Sequence, residues 1–205
     1  QKGSKADGTL GYMTEEQYEQ LVNSDFVEQA GHRRIIGYAS NTSSHSIEIN
    51  YADSVQQELT FCVPTHGAAP EKANEIATTD LALKALGVEP EIGAEVPLEF
   101  ELRGKTYHYD MVLSGWWEAS NDSVSVATVS EQFIKENPDV VQNTYAVDHE
   151  MSGVTFSDVV LKNKANVQQQ LNEFVCSIGG NPEDMGADNF ILASENQMSQ
   201  GLTSS

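Results

Sequence analysis

Five histidines, two cysteines and a large excess of carboxylates are the side chains with which this chain could do chemistry. His32, His45, His66, His108 and His149 never pair with one another or with a cysteine at metal-ligand spacing, and no His-Glu-x-x-His run occurs. Ordinary surface or half-buried positions are expected for all five. A serine hydrolase of the nucleophile-elbow type would show Gly-x-Ser-x-Gly, which is absent. Glycosidase carboxylate pairs are defined by a distance in space, and among 31 acidic residues some pair always fits. No catalytic residue is therefore assigned, and no enzymatic activity is expected. The acidic run from Asn181 to Asp188 lacks the ligand spacing and closing Glu of a calcium loop and reads as a solvated turn. Gly179-Gly180 ends a helix, so its amides point the wrong way to cradle a phosphate. Cys62 and Cys176 read as two buried thiols, with a single disulfide as the alternative outside the cytoplasm. No metal and no cofactor are expected. What remains is Trp116-Trp117. Neighbours on a strand face opposite sides, so one indole can be core while the other forms a contact surface or ligand cleft. The rival reading packs both between two subdomains.

The elements that would position these residues follow from pattern. A strand over Thr9–Met13 leads to Thr14-Glu15-Glu16-Gln17, a capping box that starts an amphipathic helix carrying Tyr18, Leu21 and Val22. Strands are expected over His32–Ala39, Ile47–Tyr51 and Leu59–Val63, the last closed by Pro64. After a Gly67-Ala68-Ala69-Pro70 turn, Asn74-Glu75-Ile76 enters a short helix capped by Thr78 or Thr79 and stopped by Gly87. Alternation of Val96, Leu98, Phe100 and Leu102, then of Tyr107, Tyr109, Met111 and Leu113, gives a β-hairpin around Arg103-Gly104-Lys105. That alternation leaves His108 on the exposed face. Val124, Val126 and Thr128 suggest a strand, and Ser130 caps a helix that stops before Pro138. A strand over Val154–Leu161, a helix carrying Val167, Leu171, Phe174, Val175 and Ile178, and a strand at Phe190–Leu192 complete the chain.

At 205 residues there is room for one large domain or two small ones. The formal charge of −20 excludes a nucleic-acid surface, since Arg33-Arg34 is the only short basic cluster. The same excess opposes anionic lipid and suits a cationic ligand such as a basic peptide, although solubility alone also accounts for it. No run of about 18 apolar residues occurs, so nothing here spans a bilayer as a helix.

Gly67, Pro70, Asn74, Glu75, Ile76, Leu86, Gly87 and Gly93 stand in the order Gly-x-x-Pro, Asn-Glu-Ile, Leu-Gly, Gly. With the strand-helix unit from Val154 to Ile178, this resembles the extracytoplasmic core domain of FtsX/MacB-type ABC transporter permeases, over about Thr14 to Leu192. The resemblance implies a membrane helix before Gln1 and three after Ser205, a cytoplasmic ATP-binding subunit and a second permease copy or paralogue. It also implies ATP-driven membrane motion coupled to export, sensing or release of a peptide, antibiotic or lipoprotein, on the extracytoplasmic side of a bacterial cell membrane. Its motif residues are structural, and it supplies no catalytic residue.

The expected class is α+β: two β-α-β-like porter lobes, residues 1–65 and 120–205, flanking a β-rich insert over 66–119. Hinges are expected near Val63–His66 and Glu118–Asn121. Trp116 and Trp117 are the candidate contacts for a ligand or an extracellular partner. The alternative function is a secreted ligand-binding or hydrolytic domain unrelated to transport.

Overall fold

The structure is a computed structural model and describes residues 4–42, 46–120, 125–185 and 188–189. In chain order the elements are β1 (Gly8–Met13), α1 (Glu15–Val22), β2 (Val27–Ala30), β3 (Arg33–Tyr38), β4 (Glu48–Ala52) and α2 (Ser54–Leu59). There follow β5 (His66–Gly67), β6 (Glu75–Thr79), α3 (Asp80–Leu86), β7 (Glu95–Leu102), β8 (Lys105–Trp117) and β9 (Val126–Val129). The chain continues through α4 (Glu131–Glu136), α5 (Tyr145–Asp148), β10 (Thr155–Leu161), α6 (Val167–Ser177) and β11 (Asp188–Asn189). This is an α+β fold, as the sequence indicates.

Helix starts follow the residues that precede them. Thr14 accepts from the Gln17 amide while the Gln17 side chain accepts from the Thr14 amide, which closes the expected capping box. Thr79 and Ser130 cap α3 and α4 through their hydroxyls, and Gly87 stops α3 in the left-handed conformation. The hairpin of β7 and β8 is paired in register from Glu95↔Val112 to Leu102↔Lys105.

Two segments differ from expectation. Asn74-Glu75-Ile76 leads into a strand, Glu75–Thr79, and not directly into the helix, which starts at Asp80 behind one of the two expected caps, Thr79. Strand β6 lies between β8 and β9, so Ile76, Ala77, Thr78 and Thr79 are all buried and show no alternation. A short run buried on both faces cannot be told from helix by period. The expected strand at Leu59–Val63 is instead the last residue of α2 and the turn after it, and Asp53 caps that helix by accepting from the Gln56 amide. The chain then turns through Phe61 at φ 59°. The expected strand at Phe190–Leu192 lies outside the described residues, although Asp188–Asn189 pairs with Gly8–Thr9.

The strands form one mixed sheet in the order β11-β1-β10-β3-β4-β9-β6-β8-β5, with β2 also on β10 and β7 also on β8. Most neighbours are antiparallel, whereas β4 with β9 and β6 with β8 run parallel. Two separate dry cores sit on this sheet. The larger gathers Ile36, Ile49, Leu83, Leu98, Phe100 and Phe133. The smaller gathers Leu10, Met13, Leu21, Val159, Leu171 and Val175 from the two ends of the chain. Between them β3 and β10 share two register pairs, Arg34↔Thr155 and Arg33↔Phe156.

The seam between the cores mixes buried apolar side chains, Ile35 and Val154 among them, with polar contacts. Glu15 of α1 meets the His32 ring nitrogen at 3.0 Å and the Arg34 guanidinium at 3.5 Å. On the other flank, Ser4 donates to the Asp158 carboxylate at 2.7 Å, and the Asp158 amide donates to the buried Gln56 side chain.

Candidate functional site

The tryptophan pair divides as alternation demands. Trp117 is buried at 5% exposure, and Trp116, one strand in from the β5 edge, is half-buried and packs against the larger core. The His66 ring stacks on Trp116, with centroids 3.8 Å apart and planes 7° from parallel. His66 Nε2 also meets Glu118 Oε1 at 2.9 Å, and Thr65 Oγ1 donates to Glu118 Oε2 at 3.0 Å. The bond from His66, then those from the backbone and from Thr65, hold the Glu118 carboxyl below its ordinary range. The two ends of the 66–119 segment are therefore strapped side by side, with Thr65 N also bonded to Trp116 O at 3.1 Å. Ile92 and Val63 leave about half of their surface in solvent, at 53% and 48%.

The motif residues do local work around this edge. Gly67 has φ 71°, and a Cβ there would collide with the Ser114 carbonyl oxygen, so only glycine lets β5 lie this close to β8. Glu75 accepts from the amides of Glu71 and Lys72 at 2.9 and 2.8 Å, which closes the turn after Pro70 and lowers its own pKa. The Asn74 carbonyl takes the Val112 amide and fixes the entry of β6. Gly93, at φ 92°, donates to the Leu113 carbonyl. Ile76 is core, and Leu86 packs against that core beside the Gly87 stop.

A second feature was not anticipated from the sequence. A surface cleft of about 480 Å³ opens where the parallel strands β4 and β9 end and their chains turn into α2 and α4. Tyr51, Ala68, Ala69, Pro70 and Val129 give it an apolar wall. Asp53, Glu71 and Glu131 stand around it with Lys135. Burial, reinforced by the charges of Asp53 and Glu131, pushes the Tyr51 phenol up to about 12. With Asp53, Glu71 and Glu131 against Lys135, the lining carries an excess of acidic residues. Its residues come from three distant segments, so no spacing signal could have revealed it.

The remaining candidates are dispersed. His32 lies in the seam, and His108 on β8 is exposed beside Asp110 at 2.9 Å. His149 follows α5 at φ 59°, and His45 is outside the described residues. Cys62 and Cys176 are both free thiols. Cys176 is exposed on α6 rather than buried, because it falls on the polar side of that helix, next to Val175 in the smaller core. Among the described residues no three His, Cys, Asp or Glu side chains are grouped to hold a metal.

Comparison with solved structures places this architecture. The extracellular domain of the noncanonic ABC-type transporter YknZ from Gram-positive bacteria superposes with a TM-score of 0.52 at 14% identity, over 88% of this chain and 96% of that one. The periplasmic region of MacB from Actinobacillus actinomycetemcomitans superposes with a TM-score of 0.57 at 9% identity, over 99% and 95%. The fold is that of ABC-permease extracytoplasmic domains. At such identities the likeness is one of fold, and the permease-type fold puts the Trp116 edge and the cleft on one scaffold. No protein-family model matches the chain, and no curated protein matches it.

Proposed function

We propose that this chain is the extracytoplasmic domain of an ABC-type transporter permease, without catalytic activity of its own, working with a cytoplasmic ATP-binding subunit and a second permease copy or paralogue. The supporting observation is the extent of the fold match: nearly the whole chain follows domains that occupy this position in two such transporters. The architecture suits the task. Two cores that meet at one narrow stretch of sheet, where β3 and β10 pair only briefly, can shift against each other with limited loss of packing. In this reading membrane motion displaces one core relative to the other, and the change is presented to a peptide, antibiotic or lipoprotein partner. Trp116, stacked on His66 of the edge strand β5, is the contact proposed for that partner, whereas Trp117 is buried on the opposite face of β8.

The exposed thiol of Cys176 provides the test. In intact cells producing the parent protein with Cys62→Ser, a membrane-impermeant maleimide should label Cys176 without lysis. Labelling that requires lysis would place the domain on the wrong side of the membrane and end the proposal. An ATP-binding subunit should also co-purify with the parent protein.

A further inference from the structure

We propose that the cleft between α2 and α4 is a binding site for an alkylammonium group, carried either by a lysine-containing peptide or by a free polyamine. The shape and chemistry of the walls make the case. Ala68, Ala69, Pro70 and the Tyr51 ring form an apolar flank, which suits a methylene stem. Around the same cleft stand the carboxylates of Asp53, Glu71 and Glu131, which suit a cationic head. A volume of about 480 Å³ lies in the range of small-ligand sites, on the order of 300–1,000 Å³. The location is also one that mixed α/β sheets favour for ligands, outside the carboxyl ends of adjacent parallel strands, here β4 and β9.

The alternatives fit less well. An anion would face three carboxylates with a single ammonium to meet it. A bare metal ion needs converging oxygen or nitrogen ligands, which no described group supplies. Lys135 is the cleft's own cation, and its Nζ pairs with Glu131 Oε1 at 3.6 Å one helical turn away on α4. That pair is exposed and weak, so an incoming ammonium can displace it. Asp53 is held by the amides of His32 and Gln56, which fixes its carboxylate before any ligand arrives. None of this depends on the permease reading.

The test uses the 205-residue chain and two probes, acetylated trilysine amide and spermidine, followed by amide NMR shifts at low salt. Saturable shifts are expected in Tyr51–Gln57, Ala68–Glu71 and Val129–Lys135. The Glu71→Gln/Glu131→Gln variant should bind about tenfold more weakly, in line with the loss of two exposed ion pairs. Glu89→Gln/Glu91→Gln removes the same charge from exposed positions outside the cleft and should leave affinity within about twofold. Equal weakening by the two variants would mean diffuse attraction to an acidic surface and would overturn the site. Absence of saturable shifts with both probes would overturn it too. Response to trilysine alone identifies a peptide side chain as the ligand, and response to spermidine alone identifies a free polyamine. Unchanged far-ultraviolet dichroism and Tm show that a variant remains folded.

Discussion

Gly67 and Gly87 both sit at positive φ, yet they answer to different constraints. Nothing lies near a Cβ built on Gly87, so Gly87→Ala meets only backbone strain and should cost about 1 kcal/mol. At Gly67 the same methyl would strike the Ser114 carbonyl and crowd Ile92. Gly67→Ala should therefore cost about 2–3 kcal/mol, because the edge strand must also move off β8. Urea denaturation of the two variants checks the difference, and equal losses would show that the approach of β5 to β8 is not tight. The sequence marked both as turn glycines but could not rank them. The ranking depends on Ser114, which lies 47 positions beyond Gly67 and meets it only in the folded sheet.

At the scale of elements, α1 is held to the seam by charge as well as by Leu21 in the smaller core. The hydrogen bond from His32 outweighs partial burial and keeps the Glu15 carboxyl below its ordinary value of 4.5. A lowered carboxyl stabilises the fold in full above the unfolded value, and that contribution is lost as pH falls through the folded one. Thermal melts of the native chain should thus steepen their decline in Tm below pH 4.5, and Glu15→Gln should flatten that part of the profile. An unchanged profile would remove Glu15 from the seam. The start of α1 was legible because its cap is local: Thr14 and Gln17 satisfy each other within one turn. Strand β6 was not, since its neighbours β8 and β9 are made from residues more than 30 positions away. Helix α2 was missed for a related reason. Its short apolar face closes against β4 and β10, and the Phe61-Cys62-Val63 run that imitated a strand is a partly exposed turn.

For the whole molecule, one sheet carrying two dry cores predicts unequal stability. Leu171 and Leu98 are each fully buried, one in each core. Replacing either by Ala should cost about 2–5 kcal/mol. Because β3 and β10 share only two register pairs, Leu171→Ala should melt the smaller core first and leave a later transition for the larger one. Hydrogen exchange should then quicken in β1, α6 and β10 while β7 and β8 stay protected. A single transition shifted as a unit, with exchange rising everywhere, would mean that the two cores fold as one. The α+β class and the hairpin were readable from alternation alone. The two-core division was not, because the smaller core joins residues near both ends of the chain.

Strand β8 has a mechanical corollary. It runs for 13 residues from Lys105 to Trp117, a length of about 43 Å at the usual rise per residue, with one bulge at Ser114 where Ile76 pairs with Leu113 and Ala77 with Gly115. One end is strapped through Trp116 to the His66–Glu118 clasp. Beyond the other end, Arg103 at the hairpin tip reaches the Val140 carbonyl and the Thr144 hydroxyl in the loop ahead of β10. Pairing to β7 is in continuous register along its first half, whereas the pairing to β6 along its second half carries the bulge. The bulge at Ser114 gives this long strand one natural joint, so bending at the tryptophan end would be taken up there, and the stretch braced by β7 would keep its line.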